Sequence, residues 1–384
     1  MLMITKTDDL ARLCTELADE PWITIDTEFI RDRTYWPRLC LVQVAGAKTA
    51  ACIDPMADGI DLGPLYRLLA DESVIKVFHA ARQDVEIFLK EGGAIPKPMF
   101  DTQIAAMVCG YGDQVGYEAL VKKIARKSVD KSSRFTDWAR RPLTDKQLDY
   151  AVSDVTHLRV IYEELSAHLD RTGRRGWIDD EMAVLTNPST YTVEPMEAWQ
   201  RIKSRNPKPR FLALLRELAA WRELEAQRRD VPRNRIMKDD GLLEIAAQRP
   251  KDVKELSNCR SVPQGFASSR AGTDILEAVQ RGVDLPQDQC PQAPERQEMP
   301  PEAGPVAEIL KVLLKLRAQE TGVAQRLIAS TPDIELLAAD DNADIAAMKG
   351  WRREVFGAEA LEMKHGKLAI TICDSALAVV KAGS

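Results

Sequence analysis

A mixed α/β sheet flanked by helices, followed by an all-helical region, is the architecture that this 384-residue sequence predicts. Three observations carry the prediction. Over roughly the first 170 residues, short β-rich runs alternate with helical patterns. Two of the runs are close enough to form a hairpin, and later runs are separated by helical segments. Beyond about Asn206 the pattern is helical and no convincing strand follows.

"WITIDTEF", from Trp22, reads as a strand, and "RLCLVQVAG" with "TAACIDP" as a hairpin broken by Gly46 and Pro55. "GPLYRLLADES" is helical. "VIKVFHA" is a further strand leading into the helix "ARQDVEIFLKEG", which Gly92 and Gly93 close. "MFDTQIAAMVCG" reads as a short strand passing into a helix, with Asp101 or Thr102 placed to cap it. From Gly116 to about Leu169 the pattern is mostly helical. Hairpin-paired strands followed by crossover helices indicate a mixed sheet with helices on both faces.

The tail contains an internal repeat. A shift of 92 positions aligns Val231 with Val323, Ile236 with Ile328, Leu242 with Ile334 and Ile245 with Leu337. The organisation expected is an α/β domain over 1–206 (core about 20–170), a helical domain over 207–285, a Pro-rich linker over 286–303 and a divergent helical domain over 304–381. The first copy holds the basic turn "RRDVPRNRIMK", and the second reads "ETGVAQRLIAS" there.

Composition narrows the function. No apolar run approaches the roughly 18 residues of a membrane span, and the N-terminus lacks a basic segment before an apolar core, so no membrane association and no signal peptide are expected. Seven cysteines without a CxxC pair argue against a disulfide framework or cysteine zinc site, and a cytoplasmic location fits. Four histidines show no close ligand spacing, so any metal must be held mainly by oxygen. Net charge is −6, yet Arg201–Lys238 holds twelve Lys/Arg against four Asp/Glu, and Lys122–Asp149 nine against four. Such stretches are solvated helical faces or the holders of a polyanion.

Strand alternation puts Thr24, Asp26 and Glu28 on one face. Two neighbouring carboxylates repel and resist desolvation unless cations or donors compensate, although an exposed strand end would also tolerate them. Asp84 sits early in the helix after "VIKVFHA", where alone it reads as a solvated helix acid. In "LDYAVSDVTHL", Tyr150 and Asp154 share a helical face one turn apart. Four carboxylates without soft ligands suit two Mg²⁺ or Mn²⁺ ions, which clamp the attacking and leaving oxygens in phosphoryl displacement.

"DTEF", "VFHAARQDVEIF", "FDTQIAA" and "KSSRFTDWARRPLTDKQLDYAVSDVTHL" resemble, in order and spacing, the motifs of the ribonuclease D family. These are 3′→5′ exoribonucleases of the DEDD superfamily, in its tyrosine-containing branch. "WRELEAQRRDVPRNRIMKDDGLLEIA" resembles the HRDC domain, the helical module shared with RecQ-type helicases, of which the family can carry two copies. The resemblance implies a ribonuclease H-like sheet and a two-metal site in which Asp26 bridges both ions. Glu28 and Asp154 would complete one site, Asp84 would help hold the second ion through water, and Tyr150 would orient or help deprotonate the attacking water. The implied substrate is structured RNA, above all 3′-extended tRNA precursors trimmed by a monomer to nucleoside 5′-monophosphates. Arg134, Arg140, Arg141, Arg233 and Arg235 are candidate RNA contacts. Asp101 reads as a helix cap, His79 as structural or beside the site, and Trp138 as packing. The competing readings are a DNA 3′→5′ exonuclease on the same site and a non-catalytic nucleic-acid-binding protein. No helicase P-loop is present, and the tail is too short and too helical for a polymerase.

Overall fold

A computed structural model describes residues 2–134, 136–293 and 300–383. Within these, the chain divides into two compact units. Met1–Glu28, Cys40–Asn187 and Gln297–Ser384 form one, and Phe29–Leu39 with Pro188–Arg296 the other.

The first unit is built on a six-stranded sheet of order β1-β4-β3-β2-β5-β6. Its strands are β1 (Leu2–Ile4), β2 (Trp22–Ile30), β3 (Arg38–Ala45), β4 (Ala50–Ile53), β5 (Ile75–Phe78) and β6 (Met99–Asp101). The expected hairpin is the antiparallel β3–β4 pair, while β2–β5, β5–β6 and β1–β4 are parallel. β1 was not legible, because three residues are too few to show a period. Around the sheet lie α1 (Thr7–Ala18), α2 (Gly63–Ala70), α3 (Arg82–Gly92), α4 (Thr102–Val108), α5 (Tyr117–Leu120), α6 (Asp145–Arg171) and α7 (Asp179–Leu185). Gly93 closes α3 in the left-handed conformation at φ 72°.

The mostly helical reading of 116–169 holds, with one long break. After α5 and a π-helical turn at Val121–Ala125, the chain leaves the helix at Arg126 (φ 53°), and a 3₁₀ turn at Lys131–Ser133 lies in the loop before α6. α6 then starts cleanly, because Thr144 and Gln147 form a reciprocal capping box. Ala151, Asp154, Val155, Leu158, Ile161, Tyr162 and Leu165 form its buried stripe, at helical spacing.

In the second unit, α8 (Pro209–Arg229), α9 (Arg233–Ile236), α10 (Asp239–Gln248), α11 (Val253–Ser257) and α12 (Arg270–Asp284) close around a core that includes Leu215, Leu218, Leu242, Ile245 and Ile275. The repeat is visible in the helices. A shift of 92 carries Arg233–Ile236 onto α14 (Gln325–Ile328), with α13 (Ala303–Thr321) before it and α15 (Thr331–Ala339) after it. The second copy belongs to the first unit and shares one core with its sheet and helices. Trp351 of α16 (Gly350–Arg352) stacks on Trp177 at 4.4 Å, and the Ala324 N–H donates to the Met107 carbonyl at 2.9 Å. Of the proline-rich linker, residues 294–299 lie outside the described residues.

The expectation of no strand after Asn206 fails at the end of the second copy. Beyond α17 (Ala358–Lys364), β7 (Leu368–Cys373) and β8 (Ala376–Lys381) pair as an antiparallel hairpin. Asp374 and Ser375, at φ 47° and 65°, make the two-residue turn that such a hairpin favours.

Candidate active site

β2 is central in its sheet, with Ile23 and Ile25 fully buried on one face. Asp26 and Glu28 are on the other, toward α6. One carboxylate oxygen from each of Asp26, Glu28 and Asp154 lies within 4.8 Å of the others. Asp84, in the first turn of α3, is buried outside that trio and accepts a hydrogen bond from the Thr27 hydroxyl. Asp101 prepares the approach to α3. Its carboxylate accepts from the N–H groups of Ala80 (3.0 Å) and Ala81 (2.8 Å) and caps α4 through Gln103 N–H (2.7 Å). Those bonds hold Ala80 at a left-handed φ of 59°. Capping is therefore the role the geometry gives Asp101.

Burial and mutual repulsion favour the protonated acids. Burial pushes Glu28 up to about 10, aided by the charges of Asp26, Asp154 and Asp84 and offset in part by Arg134. Asp154 is raised to about 8 by burial and then Asp26, with the Tyr150 hydroxyl and Arg134 acting the other way. Asp26 rises to about 6 through burial, and Asp84 is raised through burial and Asp26. One oxygen of Asp154, Oδ1, is buried with no hydrogen-bond partner. Clustered hard oxygen donors, one of them unpartnered, fit a divalent cation.

A cavity of about 350 Å³ opens on the cluster, lined among others by Asp26, His79, Tyr117, Arg134, Tyr150 and Asp154. Tyr117 was not among the expected site residues; no local pattern marks it, since it sits in a single turn of helix. His79 reaches the cavity wall, with Nδ1 3.0 Å from the Thr102 hydroxyl. Trp138 is buried as expected, its ring 6.1 Å from that of Tyr150.

The five arginines part company. Arg134 joins the acidic cavity, and Arg140 and Arg235 are exposed elsewhere. Arg141 is held within its unit as a latch. Its Nε and Nη2 grip the Asp54 carboxylate at 2.7 Å each, and Nη2 also donates to the Cys40 carbonyl at 2.6 Å. Arg233 is likewise spent inside its unit, on Glu223 and the Tyr35 hydroxyl. In each case a buried carboxylate of the same unit holds the guanidinium.

Residues 1–170 match the family model for 3′-5′ exonucleases, and residues 211–279 that for HRDC domains. A ribonuclease D of Granulibacter bethesdensis is 48% identical over 382 residues, covering 99% of this chain and 97% of that one. A ribonuclease D of Nitrobacter hamburgensis is 49% identical over 372 residues, 97% of each. The crystal structure of Escherichia coli RNase D, an exoribonuclease, superposes with a TM-score of 0.81 at 31% identity, over 94% of this chain and 98% of that one. The sequence motifs, the acidic site and these full-length likenesses agree: the chain belongs to the ribonuclease D family, 3′→5′ exoribonucleases that depend on divalent metal ions.

Proposed function

We propose that the chain trims the 3′ ends of structured RNA, with 3′-extended tRNA precursors as substrates, and releases nucleoside 5′-monophosphates using two Mg²⁺ or Mn²⁺ ions. The observation that carries this reading is the convergence of Asp26, Glu28 and Asp154 with an unpartnered Asp154 oxygen. Asp26 would face both ions, Glu28 and Asp154 one of them, and Asp84 the other through water. Bound cations would offset the repulsion among the acids and acidify the attacking water.

Tyr150 contributes orientation. Burial and then the neighbouring carboxylates of Asp154, Glu28 and Asp26 hold its phenol well above the ordinary value near 10, so it is a poor base at neutral pH. It therefore aligns the attacking water instead of removing its proton. Arg134 would meet the scissile or neighbouring phosphate. The structured-RNA assignment follows the E. coli protein, described as involved in structured RNA processing. All seven cysteines are free, which supports a reducing cytoplasm, and among the described residues no helix is long and apolar enough to cross a membrane. The functional form is a monomer.

The test compares a tRNA bearing a 3′ extension with matched single-stranded RNA and DNA, in Mg²⁺, Mn²⁺ or EDTA. Metal-dependent release of 5′-monophosphates from the tRNA extension is expected. Preference for the DNA, or equal cleavage of a circular RNA, overturns the reading.

A further inference from the structure

β2 and α6 bring the acids of the site together, although Asp26 and Asp154 are 128 positions apart in sequence. Before a cation binds, nothing in the acids themselves draws the two elements to a set distance, while a divalent site requires ligand oxygens at closely fixed separations. Something other than the acids must fix the distance.

Two hydroxyls meet this need. Thr24, fully buried and two residues before Asp26 on the same face, donates to the Val155 carbonyl at 2.8 Å and lies 3.3 Å from the Ala45 carbonyl. Tyr117 donates to the Asp154 carbonyl and stands 3.4 Å from that of Ser153. Consecutive carbonyls at Ser153, Asp154 and Val155 are thus approached from outside α6, at the turn that carries the Asp154 carboxylate. These positions are interior to a 27-residue helix, whose own N–H groups already satisfy such carbonyls. The fold therefore has no backbone deficit there for the hydroxyls to repair. Valine would fill the space of Thr24 in a strand at least as well. Tyr117 presents its ring to His79, 5.5 Å away, and phenylalanine would do the same.

We propose that Thr24 and Tyr117 are positioning residues, a two-point brace that sets the Asp154 turn of α6 against the strand of Asp26 and Glu28 and so pre-forms the cation site. The proposal rests on the metal-site reading given above. Neither hydroxyl is a ligand. Each acts on the backbone that aims one, as outer-shell partners of metal ligands do.

The test measures Mn²⁺ affinity in the absence of RNA, by electron paramagnetic resonance, together with single-turnover cleavage and KM for a short RNA. Thr24→Val should weaken Mn²⁺ binding by about 10- to 100-fold, the usual cost of losing such a partner, and lower cleavage at limiting metal in parallel. KM for RNA should stay within twofold, and Thr24→Ser, which keeps the donor, should restore affinity to within about threefold. Tyr117→Phe, which loses only the oxygen, should act in the same direction and gives a second reading if Thr24→Val fails to fold. Wild-type Mn²⁺ affinity in both Thr24→Val and Tyr117→Phe, alongside loss of binding in Asp26→Asn, overturns the brace and leaves the metal site standing. Equal impairment of Thr24→Val and Thr24→Ser also overturns it, by showing that packing of the methyl group is what matters. Wild-type Mn²⁺ affinity in Asp26→Asn overturns both readings together.

Discussion

Each of the two units buries carboxylate, and the two do it in opposite ways. In the second unit Glu223 is fully buried, yet it receives the Arg233 guanidinium through Nε and through Nη2 (2.6 Å), the Tyr35 hydroxyl, and Gln227 at 3.3 Å. Burial alone would raise its pKa; the hydrogen bonds from Arg233 and Tyr35 hold it below the usual value. In the first unit Asp26, Glu28 and Asp154 crowd one another and rise to about 6, 10 and 8. Arg134 offsets only part of that. A carboxylate that serves the fold arrives with its cation supplied by the same chain. A carboxylate cluster that the chain leaves electrostatically short is complete only with a cation from outside. Carboxylates removed from water thus separate into structure and catalysis by who supplies the charge.

Substitution of the two groups should show the contrast directly. Asp26→Asn removes one of the crowded charges, so we expect cleavage to fall by more than about 100-fold, or about 2.7 kcal/mol of barrier. The melting temperature of the metal-free protein should stay level or rise. Activity within tenfold at saturating Mg²⁺ would remove Asp26 from the chemistry. Tyr150→Phe keeps the ring that packs near Trp138 and should lower kcat by about 10- to 1,000-fold, with RNA and Mn²⁺ affinity nearly unchanged. Normal single-turnover rates would give Tyr150 a packing role only. Glu223→Ala should do the reverse of Asp26→Asn, leaving turnover on a short RNA within about threefold but costing about 2 kcal/mol in urea unfolding. That is less than the 3–5 kcal/mol of a fully buried pair, because the Arg233 side chain is 32% exposed. Unchanged unfolding would mean that the Glu223 network stabilises nothing.

The sequence disclosed these clusters unequally. Asp26 and Glu28 were readable because strand period fixes their common face, and Tyr150 and Asp154 because helix period fixes theirs. The hairpin β3–β4 and the crossover β5–α3 were likewise readable from local pattern. The pairing of Arg233 was not readable, because its acid partner lies ten positions earlier and Tyr35 lies 198 positions away, distances at which no period operates. The pairing of Arg141 was hidden for the same reason, with Asp54 87 positions distant. Thr24 and Tyr117 left no local trace either, since a lone hydroxyl has no pattern. The β7–β8 hairpin is a different case. Asp374-Ser375 between "LAITIC" and "ALAVVK" is a usable turn signal, and the helical repeat around it obscured it.

The smallest expected effect is a difference of sign with pH. In EDTA, the acids of the first unit have folded pKa values above those of the unfolded chain, near 4. As pH rises from about 4, the unfolded chain has already released protons that the folded protein still holds. Stability therefore falls with rising pH through about 6 for Asp26 and about 8 for Asp154, at no more than about 1.4 kcal/mol per pH unit for each group. Asp154→Asn removes one such penalty, so its melting temperature should gain on the wild type as pH goes from 5 to 9. Glu223 works the other way, because its folded pKa is lowered. Its contribution is present above the unfolded value and is lost as pH falls through the folded one. Glu223→Gln should therefore lie below the wild type at neutral pH and converge with it in acid. Thermal unfolding of the three proteins across pH 3 to 9, with and without Mg²⁺, checks both signs. Added Mg²⁺ should erase the alkaline advantage of Asp154→Asn and leave the Glu223→Gln curve where it was. A wild-type protein that grows steadily more stable from pH 5 to 9 in EDTA would mean that the acids of the first unit carry no mutual penalty, and the contrast between the two clusters would collapse.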